Sequence, residues 1–98
     1  MGDIEVLVDE EAFRATPPAQ RRKLRDLSKR LRREPFLGDR VRRDRIQKTF
    51  RELPNLFRLE LPGGWRALYT VASHPTAGSQ VRIVWIGEHQ RYDRLFGY

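Results

Sequence analysis

Cysteine is absent from the 98-residue chain, which excludes disulfides and thiol chemistry and permits a reducing compartment. Histidine occurs only at positions 74 and 89, and no carboxylates stand at metal-ligand spacing, so neither a metal site nor a bound cofactor is expected. Long apolar runs are missing as well. The start "MGDIEVLVDEE" lacks the basic and apolar regions of a signal peptide, and the expectation is a soluble cytoplasmic protein with no membrane partner. Phosphate-loop and dinucleotide motifs are also lacking, because the glycines of "LPGGW" fit the closure of a hairpin rather than the start of a helix.

What the chain does have is arginine. Lys and Arg number 20 against 13 acidic residues, for a formal charge of +7, and an excess of that size points to a polyanionic partner rather than to a fold. The excess is local. Arg14 to Arg51 holds 15 basic residues and only four acids (Asp26, Glu34, Asp39, Asp44), a regional charge of +11, and the remainder is net acidic. Nucleic acid is the leading partner class and an acidic protein the second.

The length predicts a single domain over residues 1–98 with a modest core. "IEVLV" alternates with Ile4, Val6 and Val8 on one side, the pattern of a first strand. Asp9 is placed to cap a brief helix over "EEAFRA". Thr16 before Pro17 supplies a second start signal, a hydroxyl for unpaired N–H groups and a proline where no donor is needed. In the helix that follows, Leu24, Leu27 and Leu31 form a narrow apolar stripe surrounded by Arg and Lys. Pro35 and Gly38 end it, and Val41, Ile46, Phe50 and Leu53 then fit an irregular helical segment. From Pro54 the texture changes to "LFRLEL", "WRALYTVA" and "VRIVWI", separated by "PGG" and "SHPTAGS", which predicts three hairpin-linked strands. Helices first and most strands later make an α+β layout.

A three-residue "PGG" closure sets Leu61 opposite Trp65. Phe57, Leu59, Leu61, Trp65, Ala67, Tyr69 and Val71 then share one face, with Arg58, Glu60, Arg66, Leu68 and Thr70 on the other. A two-residue loop would pair Leu61 with Arg66 and mix charge into the core. Arg66 has two readings at this point, a phosphate-binding guanidinium or a strand arginine paired with Glu60 across the hairpin.

The order of strand, helical hairpin, "NLFRLELPGGWRALYTV", apolar strand and "GEHQRYDRLFGY" resembles the RelE/ParE superfamily of type II toxins over nearly the whole chain. Gly64-Trp65-Arg66 leading to Tyr69, and the Gly-x-His-x-x-Tyr-Asp pattern from Gly87 to Asp93, resemble the HigB-type branch most specifically. The resemblance implies a single twisted sheet with a short C-terminal helix. It also implies a ribosome-dependent endoribonuclease that cuts mRNA without a metal, by 2′-hydroxyl attack on the adjacent phosphate, together with a cognate antitoxin. Such a site must take a proton, stabilise charge on the phosphoryl oxygens and protonate the leaving 5′-oxygen.

On that basis Arg66, His89 and Tyr92 are the candidate catalytic residues, with Arg58, Asp93 and Lys48 in support. His89, Tyr92 and Asp93 are spaced to cluster on a helix, and Asp93 is placed to orient the imidazole. Tyr92 is either a proton carrier or a surface for a displaced base, and the plainer reading makes His89 a surface group and Tyr92, Leu95 and Phe96 packing. Arg21, Arg22, Lys23, Lys29, Arg30, Arg42, Arg43 and Arg45 are candidate RNA-phosphate contacts, with the basic helix alternatively docking an acidic antitoxin or forming a plain solvated face. Glu60 stands where the namesake branch carries a lysine. The rival function is a ParE-like inhibitor of gyrase, or a member of the fold that binds without cutting.

Overall fold

The computed structural model describes residues 4–74 and 78–97, which leaves the centre of the "SHPTAGS" loop and Tyr98 outside the described residues. Five strands form one mixed sheet in the order β1-β5-β4-β3-β2: β1 (Glu5–Val8), β2 (Asp39–Arg40), β3 (Phe57–Leu61), β4 (Trp65–His74) and β5 (Gly78–Glu88). β1 runs parallel to β5, and every other pairing is antiparallel. The helices are α1 (Glu10–Arg14), α2 (Pro18–Leu31) and α3 (His89–Leu95).

The Asp9 carboxylate caps α1, accepting from the Ala12 N–H at 2.9 Å. Thr16 does not cap α2. Its hydroxyl turns back to donate to the Ala12 carbonyl at 2.8 Å, and Pro17 occupies the N-cap without a side-chain bond. Leu24, Leu27 and Leu31 press α2 onto the sheet, meeting Phe57, Leu59, Leu61, Ala67, Tyr69, Val71, Val81 and Ile83. Leu24, Leu31, Ala67, Tyr69 and Val81 are at most 1 % exposed, so this face is the main core.

The hairpin has the expected register, Leu61 opposite Trp65, with Pro62, Gly63 and Gly64 in the turn. Gly63 and Gly64 both adopt left-handed φ values (71° and 75°), the conformation that glycine takes without steric cost. Gln20, buried on α2, ties the helix to this turn by donating to the Pro62 carbonyl at 2.8 Å.

Two irregularities rephase the sheet. Between β4 and β5 the register slips so that Leu68 faces Trp85 while Tyr69 faces Ile83, leaving Val84 as the extra residue of a bulge. That insertion lets Val81, Ile83 and Ile86 all reach the α2 side. Second, residues 38–53 are not the irregular helical segment that their apolar spacing predicts. They form the two-residue edge strand β2 followed by 3₁₀ turns at Arg43–Arg45 and Lys48–Phe50. Val41, Ile46, Phe50 and Leu53 instead fold under the sheet's second face, where they pack with Leu56, Leu68, Tyr92, Trp85 and Leu95.

Gly38 permits that path. A Cβ there would lie 2.7 Å from the Arg58 carbonyl oxygen and 2.9 Å from the Tyr69 ring, and the Gly38 N–H donates to the Tyr69 hydroxyl at 2.8 Å.

Candidate functional site

Alternation along β3 and β4 places Arg58, Glu60 and Arg66 on the face opposite α2, and α3 leaves β5 with no intervening loop to lay Tyr92 over them. Tyr92 is 2 % exposed. The Arg66 guanidinium lies 4.6 Å from its ring centroid and that of Arg58 5.9 Å away, while Phe96 (4.5 Å) and Trp85 (6.1 Å) hold the ring from other directions. The result is an aromatic post with two cations against it.

Carboxylates surround those cations. Glu60 Oε1 is 3.2 Å from Arg58 Nε and its Oε2 is 3.4 Å from Arg66 Nε. Asp39 reaches Arg58 at 3.5 Å, and Asp93 lies 3.9 Å from Arg66. Partial burial lowers the Arg58 proton affinity, but the Tyr92 hydroxyl, Glu60 and Asp39 outweigh it and shift the group upward, so Arg58 is a permanent cation. The plainer reading of Arg66 therefore holds geometrically, since it does pair with Glu60 across the hairpin.

Beside this cluster lies an open groove of about 260 Å³ lined by Asp39, Arg40, Val41, Arg42, Arg45, Arg58 and Tyr92. Arg40 was not anticipated, because a two-residue edge strand carries no periodic signal, yet it flanks the groove and stacks over Phe57 at 5.9 Å. Arg42 pairs with Asp44 at 3.2 Å at the exposed rim. Arg43 faces elsewhere, beside Asp44, Ile46 and Arg51, with its guanidinium 3.5 Å from the Pro54 carbonyl.

Arg66, Tyr92, Arg58 and Asp93 thus come together, and two other expectations are corrected. His89 is not oriented by Asp93: the carboxylate goes to Arg66, a fixed cation presented by the neighbouring strand, and the imidazole rests on the β3–β4 turn, its Nδ1 3.0 Å from where a Gly64 Cβ would stand. Tyr92 offers no free ring face to a displaced base, since Arg66, Trp85 and Phe96 cover it. Lys48 is exposed on the second 3₁₀ turn and forms no ion pair among the described residues. Arg21, Arg22, Lys23, Lys29 and Arg30 belong to α2, on the opposite side of the sheet, where Arg30 pairs with Glu34 at 3.7 Å.

Among the described residues no group of three or more His, Asp or Glu stands together as a metal site would require, and no helix is long and apolar enough to cross a membrane. Comparison with protein-family models, curated proteins and solved structures finds no match.

Proposed function

We propose that this chain is a toxin of the RelE/ParE type, a ribosome-dependent endoribonuclease that cuts mRNA through 2′-hydroxyl attack on the adjacent phosphate and is held in check by a cognate antitoxin. One observation carries the reading: two guanidiniums, Arg58 and Arg66, stand against the buried Tyr92 ring, and Arg58 and Tyr92 in turn line an arginine-rich groove. Guanidinium forks match phosphoryl oxygens bidentately, and cations fixed in place stabilise the charge that develops on those oxygens during transfer. In this scheme Arg66 and Arg58 bind the scissile phosphate, the Tyr92 ring positions them, and its hydroxyl, beside Arg58, is the group at hand for proton transfer. The single mixed sheet and the short terminal helix support this reading.

A second reading, binding without cutting, is favoured by the position of His89 against the hairpin turn rather than in the cluster. Primer extension on mRNA from a translation reaction separates the two. Arg66→Ala is expected to lower cutting on the order of 10²-fold or more, the loss seen when one stabilising donor is removed. Tyr92→Phe retains the ring and removes the hydroxyl, so a loss of about 10²-fold assigns proton transfer to it and a change below about fivefold leaves it a positioning residue. No ribosome-dependent cuts by the unaltered protein would reject the nuclease.

A further inference from the structure

The two guanidiniums already have an occupant. Glu60 spans Arg58 and Arg66 with one oxygen toward each Nε, at 3.2 and 3.4 Å, the distances of an ion pair. Both Nε atoms are closed to solvent and neither makes a hydrogen bond, so the carboxylate is near enough to attract both cations but lies off the N–H directions. Buried donors left in that state favour any anion that meets them with better geometry. Glu60 itself is more than half exposed, at 56 %, and sits on β3 directly opposite Arg66.

We propose that Glu60 is a built-in competitor for the anion of this site, standing where a phosphodiester of single-stranded RNA binds and swinging into solvent when one arrives. The inference rests on the RNA reading above. Its physical content is a threshold. A phosphate that displaces Glu60 remains beside the displaced charge, so a lone phosphate gains little, whereas a strand whose further phosphates reach Arg40 and Arg42 along the groove overcomes the repulsion. Glu60 thereby makes the site select polyanions over small anions and, together with Asp39 and Asp93, offsets the charge of the two arginines while no RNA is bound.

The test is fluorescence anisotropy of a labelled single-stranded RNA oligomer against the full chain at several salt concentrations. Glu60→Gln keeps the side chain's shape and removes its charge, and it is expected to tighten binding on the order of tenfold and to steepen the log–log salt slope by about 0.7, the value for one added phosphate contact on a single strand. Glu11→Gln, the same charge change on α1, is expected to tighten binding by less than about twofold. Equal tightening by both variants overturns the inference, because net charge alone would then account for it. Unchanged or weaker binding by Glu60→Gln, with Arg58→Ala and Arg66→Ala still weakening the unaltered protein, also overturns it and makes Glu60 a support for the arginines. If Arg58→Ala and Arg66→Ala leave RNA affinity unchanged, the groove is not the RNA site and the underlying reading fails instead.

Discussion

The two faces of the sheet use the same strands differently. On the α2 side, three leucines of the helix meet a continuous apolar surface, and Arg22 and Arg30 of that helix are exposed. On the other side, the apolar cluster around Leu56, Leu68 and Tyr92 shares its surface with Arg58, Glu60 and Arg66, whose charges are held partly out of water. A half-buried charge is costly unless paired, and here each cation is paired imperfectly. One face is thus spent on stability, and the other carries a charge arrangement that folding alone does not require.

The largest test of this contrast lies on the α2 face. Leu31→Ala removes a side chain with no exposure and is expected to destabilise by about 2–5 kcal/mol in urea or guanidinium unfolding. A loss below about 1 kcal/mol would mean that this face is not the main core.

Asn55 comes next. β3 ends its pairing with β4 at Phe57 opposite Tyr69, and beyond that point the Asn55 side chain takes over the ladder. Its Oδ1 accepts from the Val71 N–H at 2.8 Å and the Thr70 hydroxyl at 3.0 Å, and its Nδ2 donates to the Val71 carbonyl at 2.9 Å. Asn55→Ala is expected to cost about 2–3 kcal/mol, because Thr70 is fully buried and its hydroxyl loses its acceptor. Asn55→Asp retains only the acceptor and should lie between the two in a denaturation series.

Tyr69 joins the two faces, since its ring is in the α2 core and its hydroxyl holds Gly38 at the entry to β2. Tyr69→Phe is expected to cost about 1–2 kcal/mol by leaving the Gly38 N–H without its acceptor. Burial pushes the Tyr69 phenol up, the Gly38 hydrogen bond opposes that shift, Asp39 adds to it, and the net direction is upward. The unfolded chain therefore releases this proton first. The Tyr69 contribution is intact below about pH 10 and is lost as pH rises through the raised native value. Unfolding at about pH 8 and about pH 11 should show a smaller alkaline loss in Tyr69→Phe than in the unaltered chain. An identical loss in both would exclude Tyr69 as its source.

Legibility in the sequence followed the same division. Alternation through Phe57, Leu59 and Leu61 and the "PGG" turn made the α2 face and the hairpin register readable, because period-2 burial and a glycine turn are local signals. β2 was not readable, since two residues carry no period and Asp39–Arg40 are strand only because β3 lies beside them. The candidate site was half legible. Helical spacing correctly grouped Tyr92 with Asp93, but it could not show that a strand arginine would take Asp93 away from His89. Nor could it show that α2 and the groove would lie on opposite sides, because charge excess is a property of composition and carries no direction.

That separation supplies the smallest expected effect and a sharp one. Arg22, Lys29 and Arg30 are exposed on α2, and the one ion pair they form among the described residues, Arg30 with Glu34, is some 60 % exposed at both ends. Replacing all three with alanine is expected to change stability by less than about 0.5 kcal/mol per site. In RNA binding and in primer extension the groove variants and this triple variant should then diverge in kind. On the proposed nuclease reading, loss of Arg58 or Arg66 removes contacts to one defined phosphate, whereas loss of the α2 charges lowers the general field and flattens the salt dependence without moving any cut site on the message. A triple variant that shifts the cut positions would join the two surfaces into one binding path and break the division between the faces.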